Sequence, residues 1–444
     1  MNTQWQNEMR RMGGWFCSAV VLSSLVFCTV GWAGPEASGD QLRLAIILTR
    51  HGVRSPLETA EAMAQYAAQP WPKWDVAPGI QTPHGNKLIA LIGDYYRARF
   101  AREHLLTGDP ASDGPLVFVR ADNDQRTIET GRIFGKAFVP VGEPDVHALP
   151  EGTIDPLFRP FEAQVGHPDT SLAVAAILGR MGGDPRNMER AYAEQLDELK
   201  GILRGKGAAP AVPTDFDVPS SVAPGQKYFP AALKGPFTAA LYCTDYFLLE
   251  YTEGMPPSDV GWGRVDGRVM TDMLALHELY FDLTQRTFYL AQIGGSNLAS
   301  HIVDTLEQCA LGQPIPGALG PSGGRIVVAV GHDTNIAHIG GLFGMNWCVP
   351  GTQMNPTLPG GALVFELWKR GGQENAFYVR TSYVAQTLDQ MRDATPLSLE
   401  NPPARSPIFI PGCGGPGPDF DAPLASFVRQ ARRVIDPAFI APEP

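Results

Sequence analysis

Basic surplus is the first thing this chain lacks. Lys and Arg total 35 against 46 Asp and Glu, a net charge of −11, and an acidic protein without a dedicated basic patch is poorly suited to nucleic acid or an anionic membrane surface. Charge of either sign is sparse, at 18% of residues, while 44% are hydrophobic. A chain of 444 residues with that composition buries a large core and is long for one domain, so one large domain plus an insertion is expected. Cysteine is scarce as well: the six show no spacing with histidine that suggests a structural metal. There is no internal repeat.

A long apolar run does exist, but it stands at the amino end. Arg10 and Arg11 precede Trp15 to Val30, and the run closes on small residues at Ala33. That pattern predicts a secretory signal peptide over residues 1–33. A retained anchor could just reach spanning length, yet the small-residue end and the polar stretch Glu36 to Gln41 favour removal. Cleavage takes away Arg10, Arg11 and Glu8, so −11 becomes −12. The expected address is the periplasm or the medium, with no membrane association afterwards. Cys243, Cys309, Cys348 and Cys413 then remain in an oxidising compartment, where disulfide bonding is expected and four cysteines allow three pairings.

What is present is concentrated at three strand ends. Leu44 to Leu48 reads as a buried strand and runs into Arg50-His51-Gly52-Val53-Arg54-Ser55-Pro56. Cations crowded at the carboxyl end of a strand are unfavourable unless an anion binds there, and guanidinium forks match phosphate oxygens two at a time. A histidine among them points to phosphoryl transfer through imidazole. Such chemistry also needs further positive charge and an acid for the departing alkoxide. Arg325 to Val330 is a second buried strand, followed by Gly331-His332-Asp333-Thr334-Asn335. Leu116 to Ala121 is a third, followed by Asp122-Asn123-Asp124-Gln125-Arg126 and a helical pattern whose first turn would hold Arg126.

An isolated Arg-His pair is ordinarily a surface ion-pair element, and Arg126 alone would be a solvated first-turn residue. Asp122 reads equally as an orienting group or a helix cap. His84, His147 and His338 read as structural or solvated. Around these motifs, residues from about 42 to 148 alternate strands with helices such as Gly85 to Arg99. Residues 160 to 299 turn mainly helical: Ser171 to Arg180, Met188 to Leu203, Pro236 to Tyr251 and Gly267 to Gln292. Residues 204–230 read as loop, and strands return at Ala362 to Trp368 and Ala376 to Arg380 before a helix at Leu424 to Val434.

With these residues in place the chain resembles the histidine acid phosphatases, the branch that includes bacterial periplasmic phytases and glucose-1-phosphatases. Similar stretches recur along nearly the whole mature chain, among them Thr82-Pro83-His84-Gly85, Gln125-Arg126-Thr127, Asp155-Pro156-Leu157-Phe158, Gly254-Met255-Pro256 and Pro359-Gly360-Gly361. The resemblance implies an α/β fold: a doubly wound mixed sheet with helices on both faces and an inserted, mainly α-helical cap, as in phosphoglycerate mutases. Residues 40–158 and 300–444 would form the catalytic domain and 159–299 the cap. It implies His51 as nucleophile, Asp333 as proton donor, and Arg50, Arg54, Arg126 and His332 as the phosphate clamp, assisted by Asp122. The enzyme would be a monomer acting on small phosphomonoesters (inositol or sugar phosphates) without metal or cofactor. A phosphoglycerate mutase activity is disfavoured by the signal peptide and the His-Asp pair, and a phosphate-binding protein would need neither His51 nor Asp333.

The chain departs from the resemblance at two places. The family's C-terminal cysteine pair closes a short loop, whereas nine residues beyond Cys413 stands Ala422, so Cys413 is expected to be free or differently bonded. Bacterial phytases commonly continue the first motif with Thr-Lys; here Leu57 and Glu58 hold those positions. Glu58 facing a polyphosphate would weaken its binding, so less charged monoesters are expected to be preferred, with a glucose-1-phosphatase-type activity as the alternative.

Overall fold

Strand β1 (Gln41–Arg50) sets the architecture because both its faces are apolar. Leu44, Ile46 and Leu48 join one hydrophobic cluster, Ala45 and Ile47 another, which explains why the sequence shows a continuous run rather than alternation. The computed structural model describes residues 39–205 and 216–442; the expected signal peptide lies outside them.

Further strands are β2 (Val117–Ala121), β3 (Val146–His147), β4 (Ser221–Pro224), β5 (Ala231–Lys234) and β6 (Ile326–Gly331). They are followed by β7 (Ala362–Lys369), β8 (Phe377–Ala385), β9 (Ala404–Pro407) and β10 (Ala422–Pro423). The main sheet runs β10-β8-β7-β1-β6-β2-β3, with β9 on β8. β1, β6, β2 and β3 are mutually parallel, and β7 joins β1 antiparallel, giving a mixed sheet. The helices Pro83–Arg102 and Gln125–Phe138 cover one face through Ile89, Tyr96, Phe100, Phe134 and Phe138. On the other face lie the helices from the segment between β3 and β6, whose Phe247, Leu274 and Leu298 share a cluster with Ile46 and Leu48. Each such buried side chain contributes roughly 1.5–3 kcal/mol.

Several expectations shift locally. The pattern Gly267 to Gln292 divides into Gly267–Thr284 and Phe288–Leu311. Arg286, in the break, sends its guanidinium to the Met345 carbonyl at 2.5 Å, a contact no periodicity can reveal. The second of these helices crosses residue 299, so the expected cap boundary falls inside a continuous helix. Met188 to Leu203 likewise breaks at Tyr192 into Arg186–Ala191 and Ala193–Arg204. Part of the expected loop over 204–230 forms the hairpin of β4 with β5, too short to show a period. The expectation of disulfide bonding is corrected: Cys243, Cys309, Cys348 and Cys413 are all unpaired. They sit on separate elements, and the Cys309 and Cys413 sulfurs lie near backbone carbonyls of Arg43 and Ile410 rather than near each other.

Candidate active site

Register brings the three motifs to one edge of the sheet. Arg50 pairs with Gly331 across β1 and β6, and Ala121 with Val330 across β2 and β6. The backbone carries the alignment one residue further, with His51 N–H donating to the Gly331 carbonyl (3.1 Å) and Asp122 N–H to that of Val330 (3.0 Å). His51, Asp122, His332 and Asp333 therefore leave adjacent parallel strands at the same level. The helices Gln125–Phe138 and Asp333–Phe343 both start here, turning their unpaired amides toward the same space.

Gly52 explains how tightly the first turn is drawn. Its N–H donates to Gln81 Oε1 (3.1 Å) and Thr130 Oγ1 (2.9 Å), and a Cβ at this position would come within 2.8 Å of Ile89. With the turn fixed, the His51 ring places Nδ1 at 2.8 Å from the Gly52 carbonyl. Only a protonated Nδ1 can donate there, which leaves the lone pair on Nε2. Burial, then the charges of Arg126, Arg50 and Arg54, hold the His51 pKa well below 6.5. The ring thus stays neutral in acid.

Around it the cations are held by carboxylates. Buried Arg50 donates to the Thr357 carbonyl (2.7 Å) and pairs with Asp333 Oδ2 (3.0 Å) and Asp245 Oδ1 (3.4 Å). Arg54 reaches the other Asp245 oxygen at 3.3 Å. Arg126 pairs with Asp124 at 2.7 Å. His332 Nε2 lies 2.7 Å from Asp122 Oδ2, and its ring stands edge-on to that of His51 at 5.6 Å between centroids. Asp122 is therefore not a helix cap. Burial works against its charge, but the His332 hydrogen bond and the nearby Arg159 hold its pKa below the ordinary value. All seven residues expected from the motifs come together.

Asp333, the expected proton donor, has its charge favoured by its neighbours. Burial would raise its pKa, but Arg50, His332, Arg54 and His277 outweigh that effect and hold it below 3.8. These cations favour the carboxylate form of Asp333. Glu58 departs from expectation in its position: its side chain is exposed, its carbonyl accepts from the Tyr246 hydroxyl, and it does not line the cavity in front of the clamp. Leu57 does.

That cavity, of about 390 Å³, also takes in residues the sequence reading missed or set aside. Arg159 pairs through Nε with Asp122 at 3.0 Å and donates to Asn123. His338, read as structural, lines the wall, where burial pushes its pKa down to about 4. Asp245 carried one visible signal, as the lone charge in the otherwise apolar stretch from Ala239 to Leu249; Arg159 carried none. Asp122, Asp124 and His332 are close enough together to contact one cation. Arg159 and Arg126 already neutralise both carboxylates, so the group fits as a support for the clamp.

A fold of parallel strand ends, two helix starts and arginines around an unprotonated imidazole nitrogen defines a phosphoryl-transfer class. The family model of the histidine phosphatase superfamily (branch 2) matches residues 41–384. Phytase AppA of Escherichia coli (strain K12) is 32% identical over 420 residues, 90% of this chain and 93% of that protein. Glucose-1-phosphatase of Providencia rettgeri is 27% identical over 409 residues, 88% of this chain and 92% of that protein. The solved structure of Hafnia alvei phytase in complex with tartrate superposes with a TM-score of 0.83 at 35% identity, over 92% of this chain and 100% of that one. The chain belongs to the histidine phosphatase superfamily, branch 2, and is a histidine acid phosphatase. Among the described residues no helix is long and apolar enough to cross a membrane.

Proposed function

We propose that this protein is a periplasmic or secreted acid phosphomonoesterase that works through a phosphohistidine on His51, with the mainly helical segment between β3 and β6 acting as a cap over the site. The observation that carries the reading is the Nδ1–Gly52 hydrogen bond, which leaves Nε2 nucleophilic amid Arg50, Arg54, Arg126 and His332. Nε2 attacks phosphorus, the bond to the ester oxygen breaks, and Asp333 protonates that oxygen as it leaves. Asp333, now a carboxylate, takes a proton from water, which attacks the phosphohistidine and releases inorganic phosphate and neutral His51.

Asp333 must gain its proton before the first step, although the neighbouring cations hold its pKa down. A phosphomonoester with a second pKa of about 6 enters as the monoanion in acid. Its binding neutralises the arginine field that depresses Asp333, so the substrate's own proton can pass to the carboxylate as the dianion settles into the clamp. An acidic working range follows from substrate protonation rather than from Asp333 in the free enzyme.

The wall favours monoesters of low charge over inositol polyphosphates, because Leu57 and, among the described residues, no lysine lines the cavity. A glucose-1-phosphatase-type enzyme with little phytase activity is the second reading that this favours. Turnover of phytate, glucose 1-phosphate and an aryl phosphate, compared in acid, tests both: hydrolysis of none of them contradicts the phosphatase reading, and a higher kcat/KM for phytate contradicts the low-charge preference.

A further inference from the structure

The cavity in front of the clamp has a wall that phosphate chemistry does not require. Three large apolar side chains stand unusually open to solvent at this one place: Leu57 at 54% exposure, Tyr228 at 56% and Phe229 at 41%. They come from unrelated parts of the chain. Leu57 follows the first motif, whereas Tyr228 and Phe229 sit in the turn joining β4 to β5. Phe161 and buried Leu290 continue the same surface toward Asp333. Exposed apolar groups from separate segments that converge on a concave site mark a surface that is covered in use.

The charges in the wall point the same way. Beyond the clamp arginines Arg54 and Arg126, Arg159 is the one basic side chain lining the cavity among the described residues apart from the histidines. Its guanidinium is committed to Asp122 at 3.0 Å, with Glu162 at 3.8 Å. Lys227, next to the turn, donates to the Tyr228 hydroxyl at 2.9 Å. A second phosphate on the substrate would meet, along the wall, an Arg159 already paired with carboxylates, the carboxylates of Asp124 and Glu162, and apolar carbon.

Resting on the phosphatase reading above, we propose that the preferred substrates are phosphomonoesters whose leaving alcohol carries an aromatic-sized apolar body, seated between Leu57 and the Tyr228-Phe229 turn. The phosphate occupies the arginine clamp and the ester oxygen faces Asp333. A ring stacked on this wall gains both from area removed from water and from offset aromatic contact. For one phenyl ring that amounts to about a tenfold gain in binding or more.

The test compares 2-phenylethyl phosphate with glycerol 3-phosphate and phytate. The first two release primary alkoxides, so the chemical step is matched and the body of the alcohol differs. The wild type should show a kcat/KM about tenfold or more higher for 2-phenylethyl phosphate than for glycerol 3-phosphate, expressed in KM. Tyr228→Ala with Phe229→Ala should lower that ratio about tenfold through KM, whereas Tyr228→Phe, which keeps the ring, should retain it. Leu57→Gln, on a separate loop, reads the same ratio should the double variant fail to fold. Equal kcat/KM for the two esters in the wild type, or a higher value for phytate, overturns the inference and leaves the phosphatase reading intact. Hydrolysis of none of the three, with no phosphate trapped on His51, overturns the reading itself.

Discussion

At the scale of single residues, the account depends on two groups whose protonation is set by their neighbours. Burial and the arginines favour the neutral form of His51, and the arginines favour the carboxylate form of Asp333. Asp333→Asn should therefore damage turnover selectively. An alkoxide needs a proton in the transition state and a nitrophenolate hardly does, so losses of about 10²–10⁴-fold are expected for sugar phosphates and far smaller ones for p-nitrophenyl phosphate. Equal losses on both substrates would remove Asp333 from the donor role. Residues in the two motifs were legible because a strand, a histidine and an arginine in fixed order carry chemistry on their face. Arg159 was not, and Asp245 showed only as a lone charge in an apolar stretch, because each acts through a partner more than 30 positions away in the chain.

At the scale of elements, the strand ends position the reacting groups while a helix from the other half of the chain tunes them. Helix Pro236–Thr252 presents Asp245 to Arg50 and Arg54 with one carboxylate oxygen each. This bridge keeps two forks aimed at one place before any anion binds. Asp245→Asn keeps the shape and removes the charge, and a loosened clamp should cost on the order of 10²-fold in kcat/KM. Kinetics unchanged from wild type would show that the arginines are held by the sheet alone. Long apolar strands and the helix Leu424–Val434 stand where periodicity predicted them. The break before Phe288 and the hairpin of β4 with β5 do not, since the first depends on the tertiary contact of Arg286 and the second on strands of four residues.

At the scale of the whole molecule, two predictions concern stability. The four described cysteines are unpaired, so a thiol reductant should leave the melting temperature unchanged; a marked fall would reveal a disulfide. The second concerns Glu250, fully buried, with one oxygen accepting from Gly261 N–H at 2.9 Å and the other without a hydrogen-bond partner. Burial pushes its pKa up to about 8 from an ordinary 4.5. The folded state then holds a proton that the unfolded chain releases, so this group lowers stability progressively as pH rises from 4.5 through about 8, and costs nothing in acid. Glu250→Gln should narrow the fall in melting temperature between about pH 5 and about pH 9. Parallel curves for the two proteins would place the alkaline sensitivity elsewhere.

The central claim is a covalent phosphohistidine on His51, and rapid quenching during turnover of a radiolabelled phosphomonoester tests it most directly. The account predicts a label that survives alkali, is lost in acid, maps to His51, and disappears in a folded His51→Ala protein whose turnover has dropped on the order of 10⁶-fold. Full turnover with no trapped label, or a label that persists in His51→Ala, would contradict it.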